Sequence, residues 1–134
     1  MSWSKTLLGG VLGGIAMMAV DFVTHGVLLA DTYRRYPEVF DQAGGGELWF
    51  TLVCILIGVM LGILFAKTRR SWAQGVTGGI AFGFLVGMAF FFRNFFDALV
   101  YEGFPYYLAW CHGTIDAVAF TAAGAVLGLM IRSE

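Results

Sequence analysis

The side chains able to do chemistry are few in this chain, and they recur in one pattern. Asp21 and His25 stand four apart in AVDFVTHGVLL, and His112 and Asp116 stand four apart in AWCHGTIDAVAF. A separation of four is close to one helical turn, so each pair shares a helix face. Arg93 and Asp97 in FFFRNFFDALV repeat the spacing, with Asn94 beside Arg93. An acid and an imidazole on one face can form a fixed polar pair, take part in passing a proton, or ligate a metal. All three pairs lie in stretches that are otherwise apolar, where an ionised side chain costs roughly 2.5–3.5 kcal/mol on insertion scales. They are therefore expected to face an interior and to find partners.

Several arrangements of these groups are open. In the first, Arg93 bridges Asp21 and Asp116, the histidines donate to loop carbonyls, Asp97 reaches water, and the cluster Asp21, His25, Arg93, Asn94, Asp97, His112, Asp116 is a structural network that fixes helix register. In the second, His25, His112, Asp21 and Asp116 hold zinc or iron, although Arg93 nearby would repel a cation. In the third, His25 and His112 are axial ligands of a haem or related pigment, with Gly26 and Gly113 leaving room for a flat ring and the phenylalanines of 90–96 as apolar walls. Passage of a proton or small molecule is a fourth, weakened because nothing polar continues past the aspartates toward the opposite end of the spans.

The elements that must position these groups follow from composition. The chain has 134 residues, of which 59% are hydrophobic and 13% charged; soluble domains carry about 25% charged residues. Apolar segments run about 6–30, 48–66, 74–100 and 105–131. Each approaches or exceeds the roughly 20 residues that cross a bilayer as a helix. The expected fold is all-α: a single transmembrane four-helix bundle spanning 1–134, with a loop at about 31–47. The start of the first segment resembles a signal peptide but lacks an A-x-A cleavage site and continues past Asp21, so it reads as a retained helix. A net charge of -1 gives no reason to expect nucleic acid as a partner. Cys54 and Cys111 fall inside apolar segments without metal-site spacing and read as small apolar fillers.

The chain also echoes itself. GVLGGIA at 10–16 matches GVTGGIA at 75–81, and GVMLGIL at 58–64 matches GAVLGLM at 124–130, at offsets of 65 and 66. Two parallel two-helix repeats, about 6–66 and 74–131, are expected. Gly58 and Gly62, Gly124 and Gly128, and the ladder Gly79, Gly83, Gly87 mark faces where backbones approach closely. Lys5, Lys67, Arg69, Arg70 and Arg132 fall on one side of the membrane and Arg34 and Arg35 on the other, which places both termini in the cytoplasm. In that topology the first span runs outward and the fourth inward, so His25 and His112 share one depth and Asp21 and Asp116 another. With 1.5 Å per residue, the histidines sit roughly 11–12 Å and the aspartates roughly 5–6 Å outward of their span midpoints. Tyr33, Tyr36, Tyr101, Phe104, Tyr106, Tyr107 and Trp110 form an expected aromatic belt on the outer side.

The segment Phe22, Val23, His25, Gly26, Val27, Leu28, Leu29, followed by Tyr33, resembles a family of small four-span bacterial integral membrane proteins of unknown function. The likeness continues in Phe65, Ala66, Lys67 and in Gln74, Gly75, Val76. It implies a compact membrane bundle, a bacterial cytoplasmic membrane location and no catalytic residue. The chain departs from the pattern where Arg93, Asp97, His112 and Asp116 stand. Small size, little mass outside the membrane and dense glycine ladders point to a protein that acts by association, as an accessory subunit of a membrane complex or as a homo-oligomer. A redox protein binding a cofactor through His25 and His112, and a small-molecule or proton-coupled carrier, are the alternatives.

Overall fold

The structure is a computed structural model, and it describes residues 2–40 and 44–132; part of the loop expected at about 31–47 lies outside them. The described chain is all-helical: α1 (Trp3–Val23), a π-helical turn (Thr24–Leu28), α2 (Ala30–Arg34), α3 (Glu47–Thr68), a 3-10 turn (Arg69–Ser71), α4 (Gly75–Arg93), α5 (Phe95–Val100) and α6 (Tyr106–Met130). Four continuous helical stretches are long and apolar enough to cross a membrane: Trp3–Leu28, Glu47–Ser71, Gly75–Val100 and Tyr106–Met130. Their outward faces carry bare Leu, Ile, Val, Phe and Met along the whole length of the bundle. Apolar patches of that extent are not sustained in water, and the chain is an integral membrane protein.

The helices associate as two close pairs, α1 with α3 and α4 with α6, joined through α1 and α6. Lipid is as apolar as leucine, so pairing rests on contact between backbones rather than on hydrophobic burial. Both pairs obtain it with glycine. A Cβ on Gly14 would stand 2.6 Å from the Cys54 carbonyl oxygen, and one on Gly10 would stand 2.7 Å from Val59 Cα. In the second pair a Cβ on Gly79 would stand 2.8 Å from Gly128 Cα, and one on Gly83 would stand 3.0 Å from Gly124 Cα. The core between the pairs is Met17, Cys54, Leu61, Phe65, Phe82, Ala119, Phe120, Ala123 and Leu127. The fourth span is the most enclosed and the second and third the least, consistent with α3 and α4 on the flanks.

Gly9 packs against Met130 and Ile131, so the two ends of the described chain lie at one end of the bundle. That end is held by Arg69, only 4% exposed. Its Nε donates to the Ile131 carbonyl at 2.9 Å, its Nη1 to the carbonyls of Trp72 and Ala73 at 3.0 and 2.9 Å, and its Nη2 to Gln74 Oε1 at 2.9 Å. The guanidinium also lies 5.2 Å from the centre of the Phe65 ring. Among the described residues no carboxylate takes part. The charge is met by carbonyl dipoles, including that of Ile131 at the C-terminal end of α6, where a cation is favoured. Arg69 thereby ties the turn between α3 and α4 to the end of α6.

Candidate functional site

The opposite end of the bundle holds the polar residues, and two helix interruptions position them. Thr24 returns its hydroxyl to the Val20 carbonyl at 2.7 Å, and the helix then widens so that Leu29 N–H bonds the Thr24 carbonyl, five residues back, at 2.9 Å. After Leu29 the chain turns into α2. In a straight α-helix Tyr33 would lie about 12 Å along the axis from His25. The turn instead folds Tyr33 back, and its hydroxyl meets His25 Nδ1. The same hydroxyl meets His112 Nε2 at 2.8 Å. One phenol oxygen thus joins the two imidazoles, whose ring centres are 5.1 Å apart.

The second interruption is Asn94, between α4 and α5. Its Nδ2 donates to the Phe90 carbonyl at 2.8 Å and to Asp116 Oδ2 at 2.6 Å. Asp21 lies within electrostatic reach of Asp116, and its Oδ1 is buried without a hydrogen-bond partner among the described residues. Phe40 and Phe104 stand over the histidines, at 6.4 and 6.0 Å from the His112 ring centre. Beside them Glu38, Asp97 and Glu102 rim a cavity of about 320 Å³. Burial pushes the Tyr33 phenol well above the ordinary tyrosine value, with the neighbouring Cys111 and Asp21 adding to the effect. The phenol therefore stays neutral, a donor and acceptor at once.

Set against the sequence, the structure brings Asp21, His25, Asn94, His112 and Asp116 into one layer. It does not bring Arg93 there. Arg93 lies 3.8 Å from Asp97 of the same span, across the Asn94 interruption, with its side chain 60% exposed, and its guanidinium sits 5.2 Å from the Phe96 ring centre. The expected Arg93 bridge between the aspartates is absent among the described residues; Asn94, one residue and about 100° further round the helix, bonds Asp116 alone. The histidines bond Tyr33 rather than loop carbonyls. Tyr33 belonged to the expected aromatic belt, and nothing in its spacing from His25 announced the contact; the signal available was a tyrosine shortly after the span, within reach only if the helix broke. Arg69, in the sequence one of several basic residues on one side of the spans, is the one that is buried.

The geometry also bears on cofactors. Among the described residues no group of three or more His, Cys, Asp or Glu side chains is placed to hold a metal ion. A macrocycle held by His25 and His112 must stand between the two imidazoles, where the Tyr33 hydroxyl lies. The spaces beside the glycines are taken as well: a Cβ on Gly113 would stand 2.8 Å from the Phe91 ring, and Gly26 faces Phe22 at 3.6 Å. The arrangement does not fit a haem or pigment with these two axial ligands. Elsewhere in the run Phe90 stacks on Phe120 and Phe95 meets Trp110 edge-on, while Phe92 and Phe96 are exposed. Cys54 and Cys111 are free thiols. No family model, curated protein or solved structure is similar enough to this chain to match it.

Proposed function

We propose that the protein acts through association within the membrane, as an accessory or structural subunit of a larger complex or as a homo-oligomer. The observation that carries this reading is the start of α3. Every residue from Glu47 to Val53 is exposed, nearly two full turns, including Leu48 at 76% and Trp49 at 67%. A bundle helix ordinarily buries one residue or more in each turn. Among the described residues these turns bury none of their own side chains, while the polar layer at the same end is met by the chain's own Tyr33, Phe40 and Asn94. A helix from another protein or another copy, seated against Trp49, completes the arrangement.

The duplication reading is supported by the glycine-to-glycine packing of both pairs, although the two are one turn out of the repeat's register: Gly58 lies on the Gly10 carbonyl and Gly14 Cα, and Gly124 on the Gly79 carbonyl and Gly83 Cα. The basic residues around Arg69 favour that end in the cytoplasm, and the likeness of the first span favours a bacterial cytoplasmic membrane. The carrier reading has less support, because the α1–α6 interface beyond the aspartates is Gly13, Met17, Ala119, Ala123 and Leu127, all buried and apolar. A photoreactive side chain at position 49, activated in intact membranes, tests the association. A discrete protein adduct from position 49, absent when the probe is at Leu129 on the far end of α6, is expected; adducts with lipid alone at both positions overturn it.

A further inference from the structure

The hydrogen bonds around Tyr33 have a consequence that does not depend on association. Tyr33 Oη can donate one proton and accept from a second donor. With His25 Nδ1 on one side and His112 Nε2 on the other, only two arrangements satisfy both contacts when the rings are neutral. In one, His25 Nδ1–H donates to Oη and Oη–H donates to His112 Nε2. In the other, His112 Nε2–H donates to Oη and Oη–H donates to His25 Nδ1. Each arrangement fixes the tautomer of both rings together.

We infer that His25, Tyr33 and His112 form a proton relay joining α1 to α6, with the proton itself as its cargo. Starting from the first arrangement, a proton from water binds His25 Nε2. The His25 Nδ1 proton moves to Oη as the phenol proton moves to His112 Nε2. His112 then releases its Nδ1 proton. One proton enters at His25 and one leaves at His112, no charge accumulates, and the trio stands in the second arrangement; the reverse sequence resets it by taking a proton in at His112 and releasing one at His25, so the trio exchanges protons between its two ends without net transport. Neither imidazole need come off its partner, because all of the movement is along bonds already made. Tyr33 never carries a lasting charge, which suits a phenol that burial holds neutral. The ionisable groups near the path are Asp21 from α1, Asp97 from α5, and Cys111 and Asp116 from α6; the carboxyl groups attract a passing cation while burial opposes a lasting one, so each imidazolium is transient.

The chain has two histidines, so a sample labelled with ¹⁵N in histidine reports on this trio alone. Full-length protein in lipid nanodiscs is expected to show both rings averaged between their two tautomers, with ring N–H protons of His25 and His112 exchanging into heavy water at one shared rate. Tyr33→Phe is expected to abolish the averaging and to separate the two rates. Should that variant fail to fold, His112→Gln gives the same reading, since an amide cannot take up and pass on a proton and the relay-driven averaging of His25 should cease. A wild-type protein with one fixed tautomer in each ring and unequal exchange rates overturns the relay, and so does averaging that survives in Tyr33→Phe.

Discussion

Arg69 Nε donates to the carbonyl of Ile131 at 2.9 Å, across 62 residues of sequence. This bond joins the turn after the second span to the end of the fourth. Its energetic weight comes from what would be left behind without it. Arg69→Leu removes the donor for the Ile131, Trp72 and Ala73 carbonyls in a buried setting, and a stranded buried acceptor costs about 1–3 kcal/mol. A loss of about 3 kcal/mol is expected in reversible unfolding in mixed micelles. Arg69→Lys should recover little, because an ammonium cannot reproduce the planar fork. A neutral Arg69→Leu would show that the carbonyls find water freely.

The glycine contacts predict a sharp positional contrast. A methyl at Gly58 would stand 2.5 Å from Gly14 Cα, whereas one at Gly46 meets nothing within 4 Å. Gly58→Ala should cost about 1–3 kcal/mol through forced separation of α1 and α3. Gly46→Ala should be close to neutral in the same assay. Equal effects at both positions would contradict the close approach of these helices.

Arg93 and Asn94 exchange the importance that their charges suggest. The Arg93–Asp97 pair is long and exposed, and such pairs contribute about 0–1 kcal/mol. Arg93→Leu should therefore change stability little. Asn94→Leu removes the donor to Asp116 at 2.6 Å, a bond to a group that can be charged, and should cost about 1.5–3 kcal/mol. The opposite ranking would return Arg93 to the centre of the polar layer.

Tyr33 gives a prediction in pH. Its folded-state value is raised by burial above that of the unfolded chain, so the neutral phenol is favoured in the folded protein. The associated stability is fully present below the ordinary tyrosine value of about 10 and is lost as pH rises beyond it. Wild-type protein should lose stability on the alkaline side, and Tyr33→Phe should lack that particular loss. At neutral pH Tyr33→Phe forfeits the bonds to His25 and His112, roughly 2 kcal/mol for two hydrogen bonds. A variant as stable as wild type at neutral pH, with an unchanged alkaline limb, would contradict the bridge.

Much of the fold was legible in the sequence, because a membrane helix announces itself by length and apolarity alone. The segments expected at about 48–66 and 74–100 are found at Glu47–Ser71 and Gly75–Val100. The shared level of His25 with His112 and of Asp21 with Asp116 was legible too, since it needs only antiparallel spans and a fixed rise per residue. What could not be read were contacts made through irregular backbone. The Tyr33 bridge requires a π-helical turn that no residue type specifies. The Arg69 cage is built mostly of carbonyls, which every residue carries and no pattern marks. The exchange of Arg93 for Asn94 turned on a rotation of one residue, finer than spacing arguments resolve once a helix is interrupted.

Association is tested most directly by the mass of the particle released from a native-like bilayer. Native mass spectrometry of protein ejected from lipid nanodiscs, assembled without full detergent extraction, should show a species heavier than one 14.6 kDa chain, either a whole multiple of it or the chain with a second protein in fixed ratio, and Trp49→Glu should reduce it to the single chain. A bare 14.6 kDa chain from wild-type membranes, unaffected by Trp49→Glu, would contradict the account.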